Sequence, residues 1–485
     1  MRKSTVGVKA GTAIGSGVVL EDGFVLSAAH VVKRIGEQVR IFVSDGTERS
    51  AVVHSIDRRN DVSLLKLKTT NGLTTARLQG RFHERAYVFA IGNPGGFEPK
   101  RASLVRFGIA ASTLDQRKQR VLQSTCRLAR GDSGGPLFDE HGDVVGIHRQ
   151  IRKGISENYH TSAAQILGRW DRLKAGGVID GETSAPPQSR SLAHPFDDRP
   201  ITEPRVAIEV LVGGQRVAVG TIVDRKRGLI VTKASELHGE ITVGLSRRSA
   251  KLLHVDRRHD LAVLKTPKGW PVEQQTRTDG RSTVGMLVLT QLPVEKNPVG
   301  ILGAPERSVP REPGKLGVQL TSQLVVENIQ PNSAASEAGL EVGDRLTHVA
   351  GEPVSMRDHV GTHLKGLNAG DRLTLKFERD GKPQSVSVQL KHAAGKRFAD
   401  KTFQLGAAGA SSMRRTGFGA VIQHDCRIEP NQCGSPLITL GGEFVGINIA
   451  KVGREAVYCI PARVVHQVVE AAVLKLPGLD QNRQR

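Results

Sequence analysis

Short alternations of apolar and polar residues run from residue 5 to about residue 80, and a period of two is typical of β-strands. Residues 39–43 (VRIFV) show this alternation and end at the turn signal Asp45-Gly46. Helical spacing of apolar residues is found near 162–174 and near 462–475. With 54 glycines and only 4% aromatic residues, the composition favours many short strands joined by glycine turns. The pattern therefore predicts a mainly β chain.

The chain also repeats part of itself. The matching segments are 23–30 with 228–235, 57–66 with 256–265, and 123–136 with 423–436. The last pair keeps a constant offset of 300, and so does the apolar strand that follows it, 144–148 and 444–448. Such self-similarity indicates the duplication of a domain. Because a chain of 485 residues suggests about three domains, two copies leave room for one further module.

Three motifs of the first copy carry residues suited to nucleophilic catalysis. His30 closes one strand-like run, Asp61 opens another, and Ser133 lies in the glycine-rich segment 131–136 (GDSGGP). A serine hydroxyl is a poor nucleophile at neutral pH and needs a base within hydrogen-bond reach. His30 is the candidate base, and Asp61 would orient its imidazole. Each motif alone is compatible with ordinary loop residues, and it is their order that indicates chemistry.

In these motifs and their order, residues 1–177 resemble a trypsin-like serine protease of the HtrA/Deg class. The resemblance implies two β-barrels with substrate bound between them. It also implies an oxyanion hole formed by the N–H groups of Gly131 and Ser133. The implied activity is that of a serine-type endopeptidase acting on protein substrates, misfolded proteins among them, without a metal or an organic cofactor.

One residue gives a hint of substrate preference. The strand 144–150 forms a wall of the primary pocket in trypsin-like proteases, and His148 falls where glutamyl endopeptidases, which the Gly-Ile-His sequence resembles, carry a histidine that pairs with an acidic side chain. Arg127 and Arg130 lie nearby in sequence, and a cationic pocket favours Glu or Asp before the scissile bond. A surface histidine beside a strand is the alternative.

The second copy departs from the protease pattern where chemistry matters. Ser235 stands at the position of the base, Cys433 at that of the nucleophile and Asn431 at that of the oxyanion-hole glycine, whereas Asp260 is retained. A thiol nucleophile also needs a base, which Ser235 cannot supply. We therefore predict a pseudoprotease rather than a working cysteine protease. It would bind a peptide without cutting it or buttress the first domain.

A different module separates the halves of the second copy. The runs Ser-Ala-Ala, Ala-Gly-Leu and Gly-Asp within residues 333–344 resemble a PDZ domain of the HtrA type, which implies such a domain over 312–393. PDZ domains add a peptide strand to a sheet edge and hold its terminal carboxylate with backbone N–H groups. By resemblance, Leu316, Gly317 and Val318 form that carboxylate loop. A short strand that no longer binds a ligand is the alternative.

The predicted fold class is thus mainly β, with two trypsin-like double β-barrel domains, the second interrupted by a PDZ domain. The predicted limits are 1–177 for the protease domain, 178–204 for a linker, 205–309 for the first part of the degenerate domain, 312–393 for the PDZ domain, 394–415 for a second linker and 416–476 for the rest of the degenerate domain.

Charge and cysteine content narrow the function further. The net charge of +21 and the pI near 10.1 suggest anionic partners. Because Lys and Arg are spread along the chain and no nucleic-acid-binding motif occurs, a generally basic surface is preferred and no specific nucleic-acid partner is expected. Four cysteines are too few for a disulfide framework, and no metal-ligand spacing is present. No apolar run reaches the length of about 18 residues that suggests a membrane span.

Compartment and partners are expectations from the resemblance. Residues 1–9 lack the apolar core of a signal peptide, whereas the resemblance favours an extracytoplasmic, periplasmic location. Protein substrates and peptide C-termini are the expected partners, and homo-oligomerisation stays open. Two functions of other classes are a peptide-binding scaffold or chaperone with a resting triad, and an anionic-polymer binder whose affinity falls steeply with salt. Turnover of an unfolded protein by the wild type but not by Ser133→Ala would distinguish the protease from these binding functions.

Overall fold

The computed structural model describes ten stretches of the chain. They are residues 1–98, 101–114, 120–152, 157–179, 192, 206–270, 277–278, 282–392, 410–454 and 456–476. The predicted linkers 178–204 and 394–415 lie largely outside the described residues. Within the described stretches, no helix is both long enough and apolar enough to span a membrane.

Six strands near the N-terminus form a first barrel. They are β1 (Thr5–Ala10), β2 (Ala13–Val19), β3 (Phe24–Ser27), β4 (Gln38–Phe42), β5 (Glu48–Asp57) and β6 (Val62–Leu67). They pair in the order β5-β4-β1-β2-β3-β6, and β5 also pairs with β6, which closes the sheet. Along β4, Val39 and Ile41 are buried whereas Gln38 and Arg40 are exposed, as the alternating pattern predicts.

A second closed barrel follows, and the cleft of the first copy lies between the two. Its strands are β7 (Tyr87–Gly92), β8 (Leu104–Leu114), β9 (Arg120–Ser124), β10 (Pro136–Phe138), β11 (Val144–Ile151) and β12 (Asn158–Ser162). The helix predicted near 162–174 is divided at Gly168 into α1 (Ala163–Leu167) and α2 (Trp170–Ala175). Strand β13 (Gly177–Ile179) then pairs in parallel with β5 of the first barrel.

The second copy has the same pair of barrels. The first holds β14 (Ala207–Val212), β15 (Gln215–Asp224), β16 (Leu229–Lys233), β17 (Ile241–Val243), β18 (Arg248–Asp256) and β19 (Leu261–Lys265). The second begins with β20 (Arg277–Thr278), β21 (Leu287–Thr290) and β22 (Val299–Val309).

A separate module leaves the second barrel after β22. It contains β23 (Val318–Leu320), β24 (Val326–Ile329), α3 (Ala334–Glu337), β25 (Arg345–Val349), β26 (Glu352–Pro353), α4 (Arg357–Lys365), β27 (Arg372–Arg379) and β28 (Lys382–Gln389). The barrel then resumes with β29 (Phe418–His424), β30 (Pro436–Thr439), β31 (Glu443–Val452) and β32 (Ala456–Pro461), followed by α5 (Ala462–Val473). Pairing of β31 with β32 closes it. The prediction of a mainly β chain built from barrels is confirmed.

The two copies contact each other through their second barrels. Strand β8 of the first copy packs against β22 of the second. The N–H groups of Phe107 and Ile301, one from each strand, donate to the buried carboxylate of Asp425 at 2.9 and 2.7 Å. Because Phe107 and Ile301 also share one hydrophobic core, the first copy is fixed to the second along this strand pair.

Candidate active site

His30 and Asp61 meet at one end of the first barrel. His30 lies in a short 3-10 turn (Ala29–Val31) just after β3, and Asp61 directly precedes β6, which pairs with β3. Asp61 Oδ2 lies 2.8 Å from His30 Nδ1, and Asp61 Oδ1 accepts the N–H of His30 at 3.0 Å. Asp61 adopts a left-handed φ of 57°, a conformation that is uncommon outside glycine and that aims its carboxylate at the turn. Both carboxylate oxygens therefore hold the histidine.

This contact changes the proton affinity of the imidazole. Burial alone would lower the pKa of His30, but the hydrogen bond and the charge of Asp61 outweigh it and raise the pKa above its ordinary value, against a smaller opposing effect of Arg149. About half of the His30 side chain is exposed, whereas Asp61 is nearly covered. The imidazole thus has a buried carboxylate behind Nδ1 and an accessible face toward the cleft.

The glycine-rich turn carries Ser133 to the same cleft. Gly134 has a φ of +83°, and a Cβ there would lie 2.4 Å from Ser27 Oγ and 2.5 Å from the nitrogen of Ala28, so the turn packs directly on the strand end that precedes His30. The N–H of Ser16, on neighbouring β2, donates to the carbonyl of Ser133 at 2.8 Å. Among the described residues the Ser133 hydroxyl has no hydrogen-bond partner. Catalytic hydrogen bonds commonly tighten only when substrate binds.

Two N–H groups of this turn are open. Gly131 has a φ of +96°, and its carbonyl accepts the hydroxyl of Ser16 at 2.8 Å, while the carbonyl of Arg130 accepts the N–H of Gly95 at 2.6 Å. The N–H groups of Gly131 and Ser133 themselves have no acceptor within the described part of the chain. Such paired donors can receive an oxyanion.

A cavity of about 210 Å³ opens beside Ser133. It is lined by Leu128, Ala129, Arg130, Asp132, Ser133, His148, Arg149, Gln150 and Ile151. Its size and its position suit the side chain that precedes a scissile bond.

The proposed role of the His148 imidazole in this cavity does not agree with its surroundings. The side chain is buried, with Nε2 3.2 Å from the carbonyl of Ile91 and Nδ1 3.1 Å from Nδ1 of His160. Burial, then His160 and Arg106, lower the pKa of His148 well below its ordinary value. A neutral imidazole with both nitrogens occupied presents no positive charge to a substrate.

The two predicted arginines also differ in position. Arg127 is buried at the border with the second copy, where its Nη1 donates to the carbonyl of Arg454 at 3.0 Å. Arg130 lines the cavity, together with Arg149, which sequence reasoning missed. Arg149 directly follows His148 on β11, and the pairing of β11 with β12 shifts register between His148 and Gln150. Because regular alternation would place Arg149 on the opposite face from His148, the sequence pattern gave no signal for it.

The corresponding site of the second copy contains different groups. Ser235 donates its hydroxyl to Asp260 Oδ2 at 2.9 Å, and the fully buried Lys233 donates to the same oxygen at 2.7 Å. Asp260 repeats the left-handed φ of its counterpart, at 59°. Cys433 is fully buried, and this burial raises the pKa of its thiol. Lys233 is not among the residues predicted from the sequence. The available signal for it was a lysine at the end of the apolar run of β16.

A segment of the chain fills this second cleft. The N–H of Ser412 donates to the carbonyl of Lys451 on β31 at 2.9 Å, the N–H of Lys451 donates to Ser412 Oγ at 3.0 Å, and Ser412 Oγ lies 3.6 Å from Cys433 Sγ. Arg414 is buried and lies 2.7 Å from Asp371 of the inserted module. Ser412 and Arg414 fall within the predicted linker 394–415, because their burial depends on contacts far away in the chain and leaves no local sequence signal.

In the inserted module, the three predicted residues lie together at the start of β23. Leu316 is buried in the module's core, Gly317 has a φ of +81°, and Val318 begins β23. Among the described residues β23 pairs only with β24, so its other edge is open to a further strand. A cavity of about 380 Å³ touches Gly317 and Val318 and also Lys315, Lys391 and His392. No group of three His, Cys, Asp or Glu side chains suited to a metal occurs among the described residues.

The chain is similar to known serine endoproteases and to PDZ domains. A family model described as a trypsin-like peptidase domain matches residues 15–147, and a PDZ domain model matches residues 314–390. A probable periplasmic serine endoprotease DegP-like of Pseudomonas fluorescens is 25% identical over 402 residues, which cover 78% of this chain and 79% of the relative. The protein of the same name from Ectopseudomonas mendocina is 27% identical over 401 residues, with 78% and 80% covered. A crystal structure of the serine endoprotease from Yersinia pestis aligns at 17% identity with a TM-score of 0.32, covering 81% of this chain and 95% of that one.

Proposed function

This chain is an HtrA/Deg-like serine endopeptidase with a PDZ domain, and from that premise we propose that its first domain hydrolyses peptide bonds of protein substrates through His30, Asp61 and Ser133. The observation that carries the proposal is the double contact of Asp61 with His30 beside a turn that offers Ser133 and two open N–H groups. Misfolded proteins are one expected class of substrate. The relatives named periplasmic support an extracytoplasmic location.

The geometry suggests the following steps. Ser133 Oγ bonds to the substrate carbonyl carbon while His30 Nε2 takes the hydroxyl proton, and Asp61 stabilises the imidazolium that results. The carbonyl oxygen becomes an oxyanion, which accepts the N–H groups of Gly131 and Ser133. His30 then gives its proton to the leaving amine as the C–N bond breaks. Water attacks the acyl-enzyme by the same route and releases Ser133.

For the residue before the scissile bond we propose an acidic preference. The positive charge beside the cavity would come from Arg130 and Arg149, because the buried His148 is neutral. A guanidinium binds a carboxylate through paired hydrogen bonds. Cleavage of matched peptides with Glu, Gln, Leu or Lys at this position tests the preference, and a faster rate with Leu or Lys than with Glu contradicts it.

For the PDZ domain we propose capture of peptide C-termini. The open edge of β23 suits strand addition, and the turn formed by Leu316, Gly317 and Val318 lies at the start of that edge. The cavity beside this turn carries the cationic side chains Lys315 and Lys391. We expect a free terminal carboxylate to be required, so that an amidated peptide of the same sequence binds at least tenfold more weakly.

For the second copy we propose a pseudoprotease that buttresses the first domain. Ser235 and Lys233 both bind Asp260, which leaves no base for Cys433. The chain's own Ser412 lies along the strand that would hold a substrate, so a separate peptide would have to displace it. This occupancy favours the supporting role over peptide binding.

The test of the protease function is labelling of the full-length protein with a fluorophosphonate, followed by peptide mapping. We expect one label, on Ser133, and hydrolysis of fluorescein-labelled unfolded casein. Ser133→Ala should lose both, whereas the matched control Cys433→Ala should keep both. A folded wild type that takes no label and cleaves no casein would favour the scaffold or chaperone function instead.

A further inference from the structure

The residue before the nucleophile, Asp132, is held by a buried ion pair that the steps above do not use. Arg106 Nη1 donates to Asp132 Oδ2 and Nη2 donates to Oδ1, both at 2.9 Å. Each side chain is only 1% exposed. Arg106 projects from β8 of the second barrel, whereas Asp132 lies in the turn between the two predicted oxyanion-hole residues. Two parallel hydrogen bonds fix both the distance and the plane of a carboxylate.

Further contacts make this carboxylate the centre of the turn. Asp132 Oδ2 accepts the N–H of Ala129 at 2.7 Å, and the N–H of Asp132 donates to the carbonyl of Ala129 at 3.1 Å. Gly92, at the end of β7, lies directly beneath, because a Cβ there would be 2.3 Å from Asp132 Oδ1. The carboxylate is therefore directed into the protein. The adjacent N–H groups of Gly131 and Ser133 have no acceptor among the described residues.

The charge of Arg106 decides whether this arrangement persists. A carboxylate removed from water without a partner is strongly disfavoured, so an unpaired Asp132 would turn toward solvent. Since Asp132 is bonded to both Gly131 and Ser133, such a turn would rotate their peptide planes. The donors would then no longer converge on one point in the cleft, as stabilisation of an oxyanion requires.

We propose that Arg106 is the positioning residue of the oxyanion hole, holding the N–H groups of Gly131 and Ser133 toward the cleft through its bidentate pair with Asp132. This inference rests on the proposed protease function. Arg106 is buried, so it acts on the turn through Asp132 rather than by touching the substrate.

The same strand connects this pair to the degenerate domain. Phe107, the next residue along β8, donates its N–H to Asp425 of the second copy at 2.9 Å. On the other side of Arg106, Val105 lies against Gly303, where a Cβ would be 2.4 Å from the Val105 carbonyl oxygen. The degenerate domain therefore fixes the strand before and after Arg106, which gives its supporting role a physical route to the active site.

The test compares variants of the full-length protein by their rate of fluorophosphonate labelling and by kcat and KM for fluorescein-labelled unfolded casein. We expect Arg106→Met to lower the labelling rate and kcat about 100-fold or more, the effect of losing an oxyanion-hole donor, with KM changed less than threefold. Arg106→Lys restores the charge and should recover at least tenfold. The matched control is Arg77→Met, which breaks a surface pair with Asp143 and should leave all three quantities within twofold.

A second variant covers the case in which Arg106→Met does not fold. Arg106→Met combined with Asp132→Asn removes both charges, and replacing both partners avoids the unpaired buried carboxylate. We expect this double variant to fold with the circular dichroism of the wild type. It should still label at least tenfold more slowly, because the two hydrogen bonds that fix the plane of the side chain at position 132 are lost. Labelling at the wild-type rate by either folded variant would overturn the positioning role.

The positioning role of Arg106 can also be tested if the protein has no protease activity. If the wild type takes no label, amide hydrogen exchange over residues 127–135 reads the positioning directly. Exchange at least tenfold faster in Arg106→Met than in Arg77→Met supports it, and equal exchange in the two variants overturns it.

Discussion

The contact between Asp61 and His30 makes the most direct prediction, because Asp61→Asn changes its chemistry with almost no change of shape. The wild-type carboxylate accepts from both the ring and the backbone N–H of His30, at 2.8 and 3.0 Å. An amide at the same place would present an N–H group to Nδ1 and so favour the tautomer with its proton on Nε2. That tautomer cannot take the proton of Ser133.

The change in these two hydrogen bonds should lower the catalytic rate strongly. In serine proteases with a Ser-His-Asp triad, the same substitution lowers kcat by about 10⁴-fold. This loss corresponds to ~5.4 kcal/mol of activation free energy, at about 1.36 kcal/mol per factor of ten. The pH profile should change as well. His30 must be neutral to act as a base, so the rate rises with pH through its pKa, and the wild-type pKa is raised by Asp61. Without the carboxylate this pKa falls, so the rising limb of kcat/KM moves to lower pH while the plateau drops.

The assay is casein hydrolysis from pH 4 to 9 with protein that is folded by circular dichroism. Asp143→Asn is the matched control, because it removes a carboxylate from the surface pair with Arg77 and should change neither the plateau nor the limb. A rate for Asp61→Asn above a tenth of the wild-type rate, or a rising limb that stays in place, would contradict the proposed role of Asp61.

Three other predictions concern the rest of the chain. Gly317→Ala, at a φ of +81° with no room for a Cβ, should weaken binding of a fluorescein-labelled peptide with a free C-terminus at least tenfold, about 1.4 kcal/mol; unchanged anisotropy titrations would contradict it. Since burial raises the pKa of Cys433, iodoacetamide at pH 7 should alkylate it at least tenfold more slowly in the folded chain than in urea, by mass spectrometry, and equal rates would count against its burial. Arg414→Met leaves the buried Asp371 without its ion-pair partner and should lower the free energy of unfolding in urea by about 3–5 kcal/mol. The neighbouring Arg415→Met should lower it by about 0.5 kcal/mol or less, and similar losses for both variants would contradict the ion pair.

Local motifs made the barrels and the candidate triad readable from the sequence. Alternation in β4 reports which residues face the core, and a strand of one copy is recognisable in the other because both must fill a similar barrel. The segment around Ser133 is equally local, since its glycines supply the positive φ values of one tight turn. His30, Asp61 and Ser133 could therefore be selected before their distances were known.

The side chains that tune the site were less accessible. His148 has the sequence context of a pocket residue, yet its partner His160 lies on the neighbouring strand and makes it a buried, neutral group. Arg127 and Arg130 are close in sequence, but only Arg130 lines the cavity. Which of these two arginines lines the cavity depends on how the second copy packs against the first, because Arg127 donates to the carbonyl of Arg454 there.

By itself, then, the sequence determined the mainly β architecture, the duplication, the PDZ module and the order of the catalytic candidates, because each is encoded in residues close together in the chain. Only the tertiary structure decided the contacts between residues far apart. Arg106 forms an ion pair with Asp132, and Asp425 accepts an N–H group from β8 of the other copy. Arg414 forms an ion pair with Asp371 of the inserted module. Buried charges need partners, and only the assembled fold selects which distant residue provides them.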